Sequence, residues 1–195
     1  VQNFKDKLQK STELAYIESM RLIEEKNYKS ACEFVNEYQL KQPTLIFRQF
    51  ELQNFNNTRE NYILNCISTR WPELLNSIEV ENRQAIRLAA SSMFLWGDQL
   101  PNWQGNHQPI IQSHLDANAA SRMLLFFSTN QFNIQKNIND NVSVKYKVNS
   151  FHGNFCTECL KISGKIYTVF DLPEVPIKNC KCESGCSLTM TPILN

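Results

Sequence analysis

A chain of 195 residues with 42% hydrophobic and 20% charged side chains has enough apolar surface for a core, so bulk disorder is excluded. Twenty Lys and Arg against 19 Asp and Glu give a net charge of +1, which excludes both the broad field of a basic nucleic-acid coat and an acidic tail. The length suits one ordinary domain, or a domain of about 150 residues with a small appendage.

The N-terminal run VQNFKDKLQKSTELAY lacks the apolar middle of a secretory signal, and no window approaches the roughly 20 apolar residues of a membrane span. The expectation is a soluble, cytoplasmic protein without a membrane partner. An opening at Val1 rather than Met reads as a processed or cloned chain, or a piece of something longer.

Residues 4–25 contain neither Gly nor Pro and repeat apolar positions at Leu8, Leu14, Ile17 and Leu22, which predicts a helix. A turn follows at Lys26 and Asn27. The next segment, YKSACEFVNEYQLKQP, places Ala31, Val35 and Tyr38 on one face and stops at Pro43. Tyr28, Ala31, Val35, Tyr38 and Pro43 resemble the second half of a tetratricopeptide repeat over about 30 residues, with Ser19 near the position of the usual glycine. The resemblance implies one helical hairpin and does not recur 34 residues on.

Further helices are predicted at 44–55 and 58–68, the second opening on a capping box of Asn57 and Glu60. Trp71-Pro72 breaks the pattern. Residues 80–96 read as a buried helix with Ile86, Ala89, Ala90 and Met93 on one side. Arg83 and Arg87 flank that side, facing solvent, Glu79 or Glu81, or a ligand anion. After the irregular stretch 97–108, Pro109 suits the first turn of a helix running through Leu115 and Arg122 to Phe127. Asn-rich stretches, NFNNTREN and NINDNV, read as compositional bias without a function.

Past residue 140 the period changes to two. Val142, Val144, Tyr146 and Val148 alternate with polar residues, predicting a half-buried strand, with further strands at 165–170 and 187–193. The fold expected is mainly α: a multi-helix bundle or short hairpin array over 1–140, then a small zinc-stapled, β-rich module over 141–195.

Five of the seven Cys lie in this tail, as Cys156-Thr-Glu-Cys159 and, twenty residues later, Cys180-Lys-Cys182-Glu-Ser-Gly-Cys186. A Cys-x2-Cys turn supplies two convergent sulfurs and a second cluster supplies the rest of a tetrahedral shell, the spacing of a structural Zn2+ site. Cys156, Cys159 and Cys180 are the first three ligands; the fourth is Cys182 or Cys186. Four thiolates leave no open position for a water nucleophile. A disulfide framework would need an oxidising compartment, and an iron–sulfur cluster has nothing around it suggesting electron transfer. Cys32 and Cys66 fall in helical patterns and read as core. A tail this short buries little surface alone, and zinc can contribute on the order of 10 kcal/mol to its folding.

The run FCTECLKISGKIYTVFDLPEVPIKNCKC resembles the cysteine-rich C-terminal segment of phage head-morphogenesis (minor head) proteins over about 30 residues. It shares the Cys pair, the Gly-Lys turn, the Pro-rich loop and the closing Cys-x-Cys, but has Ile177 at a common His position and adds Cys186. The resemblance implies a small zinc fold.

For catalysis the candidates are few. His107, His114 and His152 are the only histidines, and no nucleophile elbow, phosphate-binding Gly loop or zinc-protease helix occurs. Trp96, Asp98, Trp103, His107, Asp116 and Arg122 gather around the irregular stretch as candidates for a ligand groove; the competing reading has both Trp residues closing the end of the helical core. Three functions are weighed. The first is a non-enzymatic interaction or assembly protein that presents a strand edge or loop of its tail to a protein partner. The alternative is a nucleic-acid-binding zinc protein, since Lys145, Lys147, Lys161, Lys165, Lys178 and Lys181 outnumber the tail's four acids by two. The third is a metal-dependent nuclease or hydrolase using His152 or the His107 and His114 pair.

Overall fold

The computed structural model describes residues 2–41, 49–97, 116–140, 145–150, 155–182, 185–186 and 188–193. The chain is mainly helical, with a small antiparallel sheet near its C-terminus, as its periodicities predict. No described helix is long and apolar enough to cross a membrane.

Helices α1 (Gln2–Glu24) and α2 (Tyr28–Leu40) form the expected hairpin. Its turn is closed by paired bonds from Lys26 N–H to Ile23 O (2.9 Å) and Asn27 N–H to Leu22 O (2.9 Å), with Lys26 left-handed at φ 58°. That is the bond pattern of a Schellman motif, here without the usual glycine. Asn27 then starts α2, its side chain accepting from Ser30 N–H. Ala31, Cys32 and Val35 are fully buried, so the small residues do bring the two helices close.

Three further α-helices follow among the described residues of the body: α3 (Arg59–Thr69), α4 (Val80–Trp96) and α5 (Ala117–Asn139). Ile63, Leu64 and Ile67 of α3, Ile86 and Ala90 of α4, and Ala120 and Leu124 of α5 form their shared core. Several local expectations are corrected. Residues 49–54 are not helical; the described part of the 44–55 segment ends in one 3-10 turn, Phe55–Asn57, after a left-handed Asn54. Thr58, not Asn57, caps α3 by accepting from Asn61 N–H, while Glu60 is buried. Asp116 is extended and accepts from Ala119 N–H at 2.6 Å, so α5 starts there rather than continuing a helix from Pro109, and it runs past Phe127 to Asn139. Arg83 and Arg87 make no described pair with Glu79 or Glu81. Both guanidiniums stand 5.2 Å from the Trp71 ring, and Arg87 also donates to Ile67 O at the end of α3.

In the tail, β1 (Lys145–Ser150) is central, with β2 (Ile166–Thr168) and β3 (Leu188–Pro192) antiparallel on either side. Alternation fixes the faces: Tyr146, paired with Tyr167 and Pro192, and Val148, paired with Met190, are buried, while Lys145 and Lys147 are exposed. The Tyr146 hydroxyl is buried without a hydrogen-bond partner among the described residues. Tyr146→Phe is therefore expected to hold or raise the melting temperature, because a lone buried hydroxyl costs about 1–3 kcal/mol of desolvation. A fall of several degrees in calorimetry would show that the hydroxyl is satisfied.

The tail is not packed apart from the body. One apolar cluster runs from Ala15 and Val35 through Leu124 to Val148, Val175, Cys180 and Leu188. Polar links join the same surfaces: the Glu174 carboxylate accepts Glu73 N–H (2.7 Å), and Lys178 pairs with Glu73.

Candidate metal centre

The cysteines reach one point because short elements turn the chain back on itself. Cys156 is the N-cap residue of α6 (Thr157–Ile162), and Cys159 lies in that helix's first turn, so the expected Cys-x2-Cys turn is a helix start. Gly164, at φ +79°, reverses the chain between α6 and β2, which leads to the Pro loop. The loop returns through a turn closed by Cys180 N–H to Ile177 O (3.0 Å) and delivers Cys180 and Cys182. A further turn, Gly185 N–H to Cys182 O (3.0 Å), precedes Cys186.

The sulfurs of Cys156, Cys159, Cys180 and Cys182 all lie within 4.8 Å of one another. Individual separations are 4.0 Å for Cys156–Cys180, 3.5 Å for Cys159–Cys180 and 3.8 Å for Cys159–Cys182. Around an ion with 2.3 Å metal–sulfur bonds, tetrahedral sulfurs stand about 3.8 Å apart, so four free thiols already hold the spacing of a closed shell. Cys186 Sγ adds a fifth sulfur, 3.9 Å from Cys159. Amide hydrogens point at the same cluster: Lys181 N–H at Cys156 Sγ (3.3 Å), Cys156 N–H at Cys182 Sγ (3.3 Å) and Cys182 N–H at Cys180 Sγ (3.4 Å). Such donors stabilise thiolate charge.

The thiols divide electrostatically. Burial opposes ionisation of Cys156, but the Lys181 amide and the neighbouring Cys159 and Cys182 outweigh it and hold the thiol down at about 6. The Cys180 thiol holds Cys186 down at about 6 as well, against its burial. Burial and the charge of Cys186 push Cys159 up; the hydrogen bond to Cys186, then burial, push Cys180 up. Without a cation the cluster therefore accommodates only part of its negative charge. A bound dication removes that conflict, so the donor set fits a metal.

Cys186 also joins the cluster to the helical body. Its N–H points at Met123 Sδ (3.3 Å), and Gly185, at φ +88°, lies so close that a Cβ there would stand 3.2 Å from the same sulfur. Only glycine takes that conformation without strain.

The other candidates separate. Cys32 and Cys66 are buried in the helical core, as expected. Trp96 is core as well: its ring stacks near Tyr16 and Tyr38, and its N–H donates to Ser19 Oγ (3.0 Å), which removes it from any groove. Arg122 is exposed on α5, and Asp116 is spent on capping that helix. Asp98, Trp103, His107, His114 and His152 lie outside the described residues. No family model, curated protein or solved structure matches the chain.

Proposed function

We propose a non-enzymatic interaction or assembly protein whose tail is folded around one structural Zn2+ held by Cys156, Cys159, Cys180 and Cys182. The observation that carries the metal assignment is the mutual approach of these four sulfurs within 4.8 Å. An all-sulfur donor set suits Zn2+, and a closed shell suits a structural role. Cys186, which falls outside that set of four, is the spare thiol.

The tail's surface supports a protein partner. Edge strand β2 exposes Ile166 at 58%, and beside it in sequence Phe170 is 94% exposed and Leu160 59%. Apolar bulk at a strand edge favours docking to another chain. The basic excess that favoured nucleic acid is partly consumed, since Lys161 pairs with Glu158 and Lys178 with Glu73.

Elemental analysis of the purified protein is expected to give one zinc per chain. Cross-linking in the cells that make the protein is expected to trap a complex that Phe170→Asp abolishes while zinc content stays the same. A metal-free folded chain would end the zinc reading, and an unaffected complex would end the assignment of the β2 edge.

A further inference from the structure

On the face of the helical body between α3 and α5, the two Asn-rich stretches meet. A groove of about 1010 Å³ runs between them, lined by Asn57, Asn61 and Asn65 on one side and Gln135 and Asn139 on the other. Tyr62 and Phe132 line it too, their rings edge to face at 5.6 Å. We infer that this groove binds an extended peptide segment of a protein partner through the peptide's main chain.

Each carboxamide offers a donor and an acceptor, the same pair that one residue of an extended backbone presents. Spacing makes the match specific. Residues four apart on a helix rise about 6 Å, so Asn61 and Asn65 on α3 stand at that interval, as do Gln135 and Asn139 on α5. Alternate residues of an extended chain repeat at about 6.6 Å. Some of the amides are already oriented: Asn61 donates to Asn56 O (3.2 Å), and Gln135 donates to Asn139 Oδ1 (3.0 Å). The aromatic pair supplies an apolar surface for one peptide side chain. Charge argues against a nucleic-acid strand here, because Glu51, Glu60 and Asp140 outnumber Arg59 and Lys136 along the lining.

The inference shares with the proposed function only the premise that the partner is a protein, and it concerns a surface other than the β2 edge. The test uses the zinc-loaded full chain as bait for displayed random 12-residue peptides, with a selected peptide then titrated calorimetrically. Asn65→Ala is expected to weaken that peptide about 2- to 12-fold, the size of one amide hydrogen bond, and adding Asn139→Ala to weaken it further. Both side chains are exposed, and unchanged circular dichroism confirms that the variants fold. N-methylation of alternate peptide amides is expected to abolish binding. Peptides selected with no sensitivity to Asn65→Ala, but lost in Phe170→Asp, would overturn the groove and leave the tail reading standing. Failure to select any peptide, or tighter binding of a single-stranded oligonucleotide in the groove, would overturn the inference as well.

Discussion

Chelation of the metal is expected to melt residues 145–193 while α1 and α2 stay folded. The three strands bury little beyond Tyr146, Val148 and Leu188, and four of the tail's buried side chains are themselves cysteines. A four-thiolate zinc shell supplies on the order of 10 kcal/mol, comparable with the whole stability of a small domain. Hydrogen exchange reads the outcome: the amides of Val148, Cys180 and Gly185 should lose protection on chelation and recover it when zinc is restored. Cys159→Ser and Cys180→Ser should reproduce the loss, and Cys186→Ser should not. Protons compete in the same direction as the chelator. The depressed Cys156 thiol contributes stability that is present above the ordinary thiol range near 9 and is lost as pH falls towards about 6. Cys159 and Cys180 are held protonated in the metal-free chain, so metal uptake should release protons into a weakly buffered solution. Retained amide protection in the chelated protein would refute the structural role.

Periodicity and cysteine spacing were legible because each is a local rule. The buried face of β1 alternates as its sequence does, and helix α4 spans the predicted 80–96. Hairpin α1–α2 was legible too, since Ala31 and Val35 recur at a packing interval and lie buried. Errors came where two local signals competed. Asn57 and Thr58 are both good caps, and the chain uses Thr58 because a 3-10 turn already occupies Asn57. Pro109, outside the described residues, suggests a helix continuing to Phe127, but Asp116 is extended and its side chain accepts the free Ala119 amide, so α5 begins anew there.

What sequence reading could not reach depends on distant residues meeting. NFNNTREN and NINDNV are polar stretches about 80 residues apart, and only the packing of α3 on α5 sets their carboxamides across one groove. The signal that would have found them is the four-residue spacing of Asn61 with Asn65 and of Gln135 with Asn139. Trp71 with Arg83 and Arg87 is similar: cation–π stacking between a turn and a helix leaves no mark on either segment alone. The choice among the five tail thiols is of the same kind. It turns on which four sulfurs come within 4.8 Å of one another, and Cys156 and Cys182 in that set are 26 residues apart.

Met123 is accordingly the residue through which body and tail are expected to unfold together. It is 2% exposed, its sulfur accepts the Cys186 amide, and its side chain fills the space above Gly185 that any Cβ would contest. Truncation to alanine removes a buried side chain and leaves a cavity at the junction, a cost of about 2–5 kcal/mol. It also orphans the Cys186 N–H, which costs about 1–3 kcal/mol more if no water replaces the sulfur. Substituting Co2+ for zinc gives the tail an optical probe at the metal, while Trp71 and Trp96 report on the body. In urea the two probes of the wild-type protein should trace one transition, because the apolar cluster is continuous. In Met123→Ala the cobalt–thiolate signal should vanish at lower urea than the tryptophan signal, splitting the transition in two. Met123→Leu, which keeps the volume and loses only the sulfur acceptor, should cost less and keep the probes coincident. Coincident transitions in both variants, with an unchanged midpoint, would show that the tail is held to the helices by contacts other than this one.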